Sequence, residues 1–181
     1  ADRVRYPAGD RSNGIVLGDF DGDGRDDLAF HRPGVYWRTL PVLFAERFGS
    51  WDAETRSIPS WAHQSGVVAV PGDYDADGLT DVAFHRPGSS WSTVPTAFSN
   101  GDGSWWARNE PAPSWANQPG VVALRGDYDG DGRTDIAFHR PGSTWTTVPI
   151  LFPRGDGRWL SANQNVPSWA NQPDVRAIGP R

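Results

Sequence analysis

The stretch Gly18-Asp-Phe-Asp-Gly-Asp-Gly-Arg-Asp-Asp-Leu-Ala-Phe-His-Arg-Pro-Gly34 decides the fold, because the chain writes it three times. It returns over 72–88 and 126–142, at a period of 54 residues without slippage. Trp37, Trp91 and Trp145 fall in register. So do Trp51, Trp105 and Trp159, and again Trp61, Trp115 and Trp169. Only Trp106 stands outside the repeat. The units run 18–71, 72–125 and 126–179, and 1–17 is a shortened N-terminal segment that carries the first strand of the first blade.

Within a unit the residues read as four short strands. Val121-Val-Ala-Leu124 is an apolar run, Asp135-Ile-Ala-Phe138 follows an acidic loop, and Trp145–Phe152 is β-branched and aromatic. A weaker strand begins near Trp159, after a Gly-Asp-Gly turn. Pro149 inside the third run predicts a bulge or an edge position there. No segment keeps a 3.6-residue period, so helices should be nearly absent. A repeated four-stranded unit of this length describes a β-propeller blade, and the fold class is all-β. A β-trefoil is the competing threefold architecture, but its units lack an acidic loop on the first hairpin. Known propellers close with at least about four blades. Three blades therefore predict a ring completed by further copies, making a homo-oligomer, or a segment of a longer array. Residues 175–178 read as the first strand of a fourth blade without its loop.

The acidic loops carry the strongest chemical signal, Asp-x-Asp-x-Asp-Gly-x-x-Asp. The candidate ligands are Asp19, Asp21, Asp23 and Asp27 in the first copy, Asp73, Asp75, Asp77 and Asp81 in the second, and Asp127, Asp129, Asp131 and Asp135 in the third. The backbone carbonyls of Arg25, Leu79 and Arg133 can join them. Alternating carboxylates on a curled loop aim several hard oxygens at one point, which suits Ca²⁺ with its six to eight oxygen ligands. Without a cation, four carboxylates in nine residues repel one another. The loop opens like an EF-hand, but its twelfth position is Phe30, Phe84 or Phe138 rather than Glu, and strands flank it. One Ca²⁺ per repeat, about three in all, would pin the first hairpin of each blade and move the formal net charge from −5 to +1.

The opposite end of each unit collects a different set. The hairpin after the second strand and the link between blades bring together His31, Arg32, Trp37 and Trp61 in the first unit. The second unit supplies His85, Arg86, Trp91, Trp115 and Asn117, and the third His139, Arg140, Trp145, Trp169 and Asn171. Aromatic faces stack on sugar C–H surfaces and planar polar groups fix hydroxyls. The same Trp and His equally serve as packing between blades, and both readings stand. His63 occupies the place of Asn117 and Asn171, so the three ends are not equivalent.

Composition limits the rest. The chain has no Cys and no Lys, which excludes disulfides, thiolate metal sites and lysine chemistry. The net charge of −5 does not fit a nucleic-acid partner, and no run of 18 apolar residues marks a membrane-inserting helix. Nearly every polar candidate appears three times, whereas catalysis needs one asymmetric constellation; unrepeated acids are few, Glu46, Asp52, Glu54 and Glu110 among them. The chain is not expected to be an enzyme.

Gly-Asp-(Phe/Tyr)-Asp-x-Asp-Gly-x-x-Asp-(Leu/Val/Ile)-Ala-Phe resembles the FG-GAP/VCBS repeat, which builds the integrin α-chain propeller and many secreted bacterial propellers. The later half of the unit, Val148-Pro-x-x-Phe-x-x-Gly-Asp-Gly-x-Trp159 with Ser168-Trp-Ala-Asn-Gln172 beyond, is similar to the PVL-type lectins. The resemblance spans 14–179. It implies a secreted, Ca²⁺-bearing propeller that binds glycans, with sugar pockets between adjacent blades. The second reading is a protein-interaction or structural module appended to an extracellular enzyme or toxin.

Overall fold

A computed structural model describes residues 14–176. Twelve strands form three four-stranded antiparallel sheets, each ordered as the chain runs. The first sheet holds β1 (Gly14–Gly18), β2 (Asp27–His31), β3 (Thr39–Ala45) and β4 (Trp51–Ser57). The second holds β5 (Val68–Gly72), β6 (Asp81–His85), β7 (Thr93–Ser99) and β8 (Trp105–Pro111). The third holds β9 (Val122–Gly126), β10 (Asp135–His139), β11 (Thr147–Pro153) and β12 (Trp159–Asn165). Each sheet takes its first strand from the tail of the preceding sequence repeat. The sheets do not close on one another; they stand side by side as blades of a propeller, with β1 beside β5 and β5 beside β9. The only helical pieces among the described residues are 3₁₀ turns, such as Ser60–His63 and its counterparts Ser114–Asn117 and Ser168–Asn171. No helix among them is long and apolar enough to cross a membrane. The fourth-blade strand expected over 175–178 falls partly outside the described residues, and Val175 and Arg176 carry no strand pairing.

The core lies between sheets rather than within one. Val16, Phe20, Leu40 and Val42 of the first blade meet Val82, Phe84 and Ala97 of the second, with Trp61 and Trp105 packed against them. Tyr74, Val94 and Phe98 of the second meet Ile136, Phe138 and Leu151 of the third in the same way. Each fully buried aromatic stabilises by about 2–3 kcal/mol. The middle blade is covered on both faces, so β7 is buried almost throughout, while β3 and β11 bury alternate residues. Adjacent blades approach so closely that Gly18 is required. A Cβ there would sit 2.6 Å from the Cβ of Thr80, whose N–H donates to the Asp19 carbonyl at 2.6 Å.

The expected bulge at Pro149 is absent. β11 pairs with β12 without a break from Thr147↔Asn165 to Pro153↔Trp159, and Pro149 lies opposite Asn163. β11 is an interior strand all the same. Its pairing with β10 is confined to Ile150 and Leu151, so the ladder ends before the residue that has no N–H to give. The same short ladder spares Pro41 and Pro95.

Candidate functional site

The loop between the first two strands of each blade is held by its own aspartates. Asp19 accepts from the N–H groups of Gly22 at 2.7 Å and Gly24 at 2.8 Å, curling the loop around its carboxylate. Gly24, at φ +85°, takes the turn that a side chain would resist. Asp27, at the start of β2, is fully buried; it accepts from Phe20 N–H and Ala45 N–H, both at 2.8 Å. One carboxylate thus ties the first hairpin to the third strand. Asp81 repeats this with Tyr74 and Ser99.

Carboxylate oxygens of Asp19, Asp21 and Asp27 come within 4.8 Å of one another, as do those of Asp73, Asp75 and Asp81, and of Asp127, Asp129 and Asp135. Each cluster could hold a metal ion. Asp23, Asp77 and Asp131 lie outside these groupings. Asp23 caps the Arg25 N–H and pairs with its guanidinium, and Asp131 does the same with Arg133. Asp77 caps Leu79 N–H at 2.8 Å. Arg25 and Arg133 also donate through Nε to the carbonyls of Ala45 and Pro153, so they brace the loop from the β3–β4 side.

The donor set fits a hard divalent cation. Burial, and then neighbouring carboxylates, push the Asp81 carboxyl up to about 8 and that of Asp135 up to about 6. Asp135 Oδ1 is buried with no donor, because the position that offers an N–H in the other blades is Pro153. A cation between the carboxylates would satisfy that oxygen and relieve the repulsion. The residues placed to hold it are the aspartates at loop positions one, three and nine.

At the opposite end the structure gathers the His, Arg, Asn and Trp sets, and several of them hold backbone. His31, His85, His139, Asn117 and Asn171 are all buried. His31 Nε2 lies 2.5 Å from the Ala62 carbonyl and His139 Nε2 2.7 Å from that of Ala170. Asn117 accepts from Arg86 N–H at 2.9 Å and donates to the carbonyls of Trp91 and Thr93, closing the β6–β7 hairpin onto the link. Asn171 keeps the two donations to Trp145 and Thr147, but its Oδ1 finds no partner. Asn117→Ala should therefore cost about 3 kcal/mol in urea unfolding and Asn171→Ala about 1 kcal/mol less, since it loses fewer bonds. Equal losses would mean these side chains do not clamp the link.

The tryptophans divide. Trp61 and Trp115 pack edge-on against Phe84 and Phe138 of the following blade, at 5.1 and 5.2 Å. Trp91 and Trp145 lie half-buried under the guanidinium groups of Arg86 and Arg140. Arg86 also donates to Ser65 and Gln64 of the preceding link, and Arg140 to Gln118. Arg32 and Trp169 are exposed.

The first blade is built differently here. Val35, Tyr36, Trp37, Arg38, His63 and Gln64 line an open cavity of about 370 Å³ between the β2–β3 hairpin and the link. Tyr36 is 83% exposed and carries the Arg38 guanidinium 4.6 Å above its ring. Trp37 leans on His63 at 6.2 Å. His63 faces the backbone of Thr39 and Arg32, yet neither ring nitrogen reaches bonding geometry, and burial lowers its pKa.

No family model matches the chain, and no curated protein does. Its chemistry is read from its residues. Tyr36 and Arg38 do not stand out in the threefold pattern because they are not repeated. Units two and three have Ser89-Ser90 and Ser143-Thr144 where the first has Val35-Tyr36, and Ser92 and Thr146 where it has Arg38. That break in the threefold pattern was the available signal.

Proposed function

We propose that the chain is a secreted, Ca²⁺-stabilised, carbohydrate-binding propeller of the FG-GAP/VCBS type, a binding protein rather than an enzyme. The carrying observation is the first-blade cavity, where an exposed tyrosine and a half-buried tryptophan stand beside Arg38 and Gln64. Its size is that of a small-ligand site. Aromatic faces there take the apolar face of a sugar ring, while the guanidinium and amide fix hydroxyls. The resemblance of the repeat to the PVL-type lectins supports the same ligand class. Calcium is the natural ion for all-oxygen clusters, since Mg²⁺ demands stricter geometry and keeps more water.

Glycan-array binding tests this directly. The chain should bind a subset of glycans, be competed off by the matching free monosaccharide, and lose at least tenfold in affinity in Tyr36→Ala or Trp37→Ala. Tyr36 is exposed enough that its truncation leaves the fold intact. A silent array alongside capture of a defined protein partner would replace the lectin reading with that of an interaction module.

A further inference from the structure

We propose that the free faces of the first and third blades are the two halves of one more blade–blade junction, and that two copies of this chain close head to tail into a six-bladed ring. The two junctions inside the chain show what such a junction requires, and they are copies of each other. In each, the leading blade presents an aromatic ring from its acidic loop, Phe20 or Tyr74. The following blade sets a tryptophan edge-on against it, Trp105 or Trp159, at 5.6 Å and 76° in both cases. In each, a threonine N–H of the following blade, Thr80 or Thr134, donates at 2.6 Å to the loop carbonyl of Asp19 or Asp73. In each, an arginine of the following blade reaches a glutamine of the leading link, Arg86 to Gln64 and Arg140 to Gln118.

The third blade offers the leading half of this pattern with nothing against it among the described residues. Tyr128 is 46% exposed where Tyr74 and Phe20 are 0%, and Trp169 is 62% exposed where its counterparts are packed. Gln172 is exposed as well. The first blade offers the following half. Trp51 is 49% exposed where Trp105 and Trp159 are packed, Phe30 is half-buried where Phe84 and Phe138 are fully buried, and Arg32 is exposed. Asp26 stands in the place of Thr80 and Thr134. It keeps the N–H, and its carboxylate can accept from Asp127 N–H of a second copy as Thr134 Oγ1 accepts from Asp73 N–H at 3.1 Å.

The two faces are unlike, so the contact is heterologous: it either closes a ring or runs on as a filament. Propellers close with four to eight blades, and six is the only multiple of three in that range. Closure also removes both open faces, which a lone arc leaves exposed to indiscriminate association.

Sedimentation velocity across a concentration series tests this. The chain should sediment at twice its 19.8 kDa mass, independent of loading once above the dissociation constant. Trp51→Glu and Tyr128→Glu should each raise that constant at least a hundredfold, giving single chains with unchanged far-ultraviolet circular dichroism. Both residues are already half-exposed in one chain, so the fold tolerates them. Should a Glu variant misfold, Arg32→Ala and Gln172→Ala probe the same junction from its exposed rim and should raise the constant severalfold. A wild-type chain of single mass overturns the proposal. So does a mass of three or more copies, a mass that grows with concentration, or a pair disrupted by only one of the two Glu variants, which marks a symmetric contact of like faces.

Discussion

With calcium in the three acidic clusters as proposed, its chelation should lower the melting temperature by on the order of 20 °C. The size follows from linkage. A ligand at a hundred times its dissociation constant stabilises by about 2.7 kcal/mol per site, so three clusters give about 8 kcal/mol. In a chain of this length each kcal/mol moves the midpoint by about 2–4 °C. Without the ion, Asp27, Asp81 and Asp135 remain buried beside other carboxylates, and Asp81 and Asp135 are held well above their usual range. Asp75→Asn should remove about one third of the chelator response and leave the rest, because the clusters sit in separate blades. Differential scanning calorimetry with and without chelator reads both effects. An unchanged midpoint would sink the structural role of the ion, and a full loss in Asp75→Asn would show the three loops to be one cooperative unit.

The repeat announced the blades, because a 54-residue period with strand-like runs leaves few architectures, and the sheets follow those runs in order. The acidic loops were legible for the same reason: spacing alone puts the aspartates at loop positions one, three and nine together. What spacing does not encode is the partner of the fifth-position aspartate: Asp23 and Asp131 pair with their neighbours Arg25 and Arg133, while Asp77 caps the Leu79 N–H. Position in the array was also hidden. Tyr74 and Tyr128 occupy the same place in near-identical loops, yet one is fully buried and the other half-exposed, because among the described residues only the former has a blade after it. The histidines of the far end could be read from sequence as ligand contacts or as packing. Burial of His31 and His139 against carbonyls gives those two a clamping task, while the exposed aromatic of the cavity comes from the one unit that departs from the consensus.

With the acidic clusters filled by calcium as proposed, acid should weaken the protein through its buried histidines. His31 and His85 are buried, and desolvation lowers each to about 4 from an unfolded value near 6.5. His31 faces the Ala62 carbonyl, Phe84 and the stacked ring of His63, whose own charging would oppose that of His31. His85 faces Phe138 and the Ala116 carbonyl, with no carboxylate to compensate a charge. The unfolded chain therefore takes up protons below about 6.5 while the folded chain does not until about 4. Stability is fully present above the first value and falls as the pH drops through the interval. Between pH 7.5 and pH 5 the loss is about 2 kcal/mol for each histidine, or about 8–16 °C in midpoint for the two together. The metal-free protein should respond less, because Asp81 and Asp135, raised rather than lowered, favour the folded state as they take up protons over an overlapping range. Thermal melts in excess calcium at the two pH values, on the wild type and on a His31→Gln, His85→Gln double variant, separate these contributions. The double variant should have the flatter profile. A wild-type midpoint that does not move between the two values, or an equal fall in the variant, would show that these two rings are not what acid attacks.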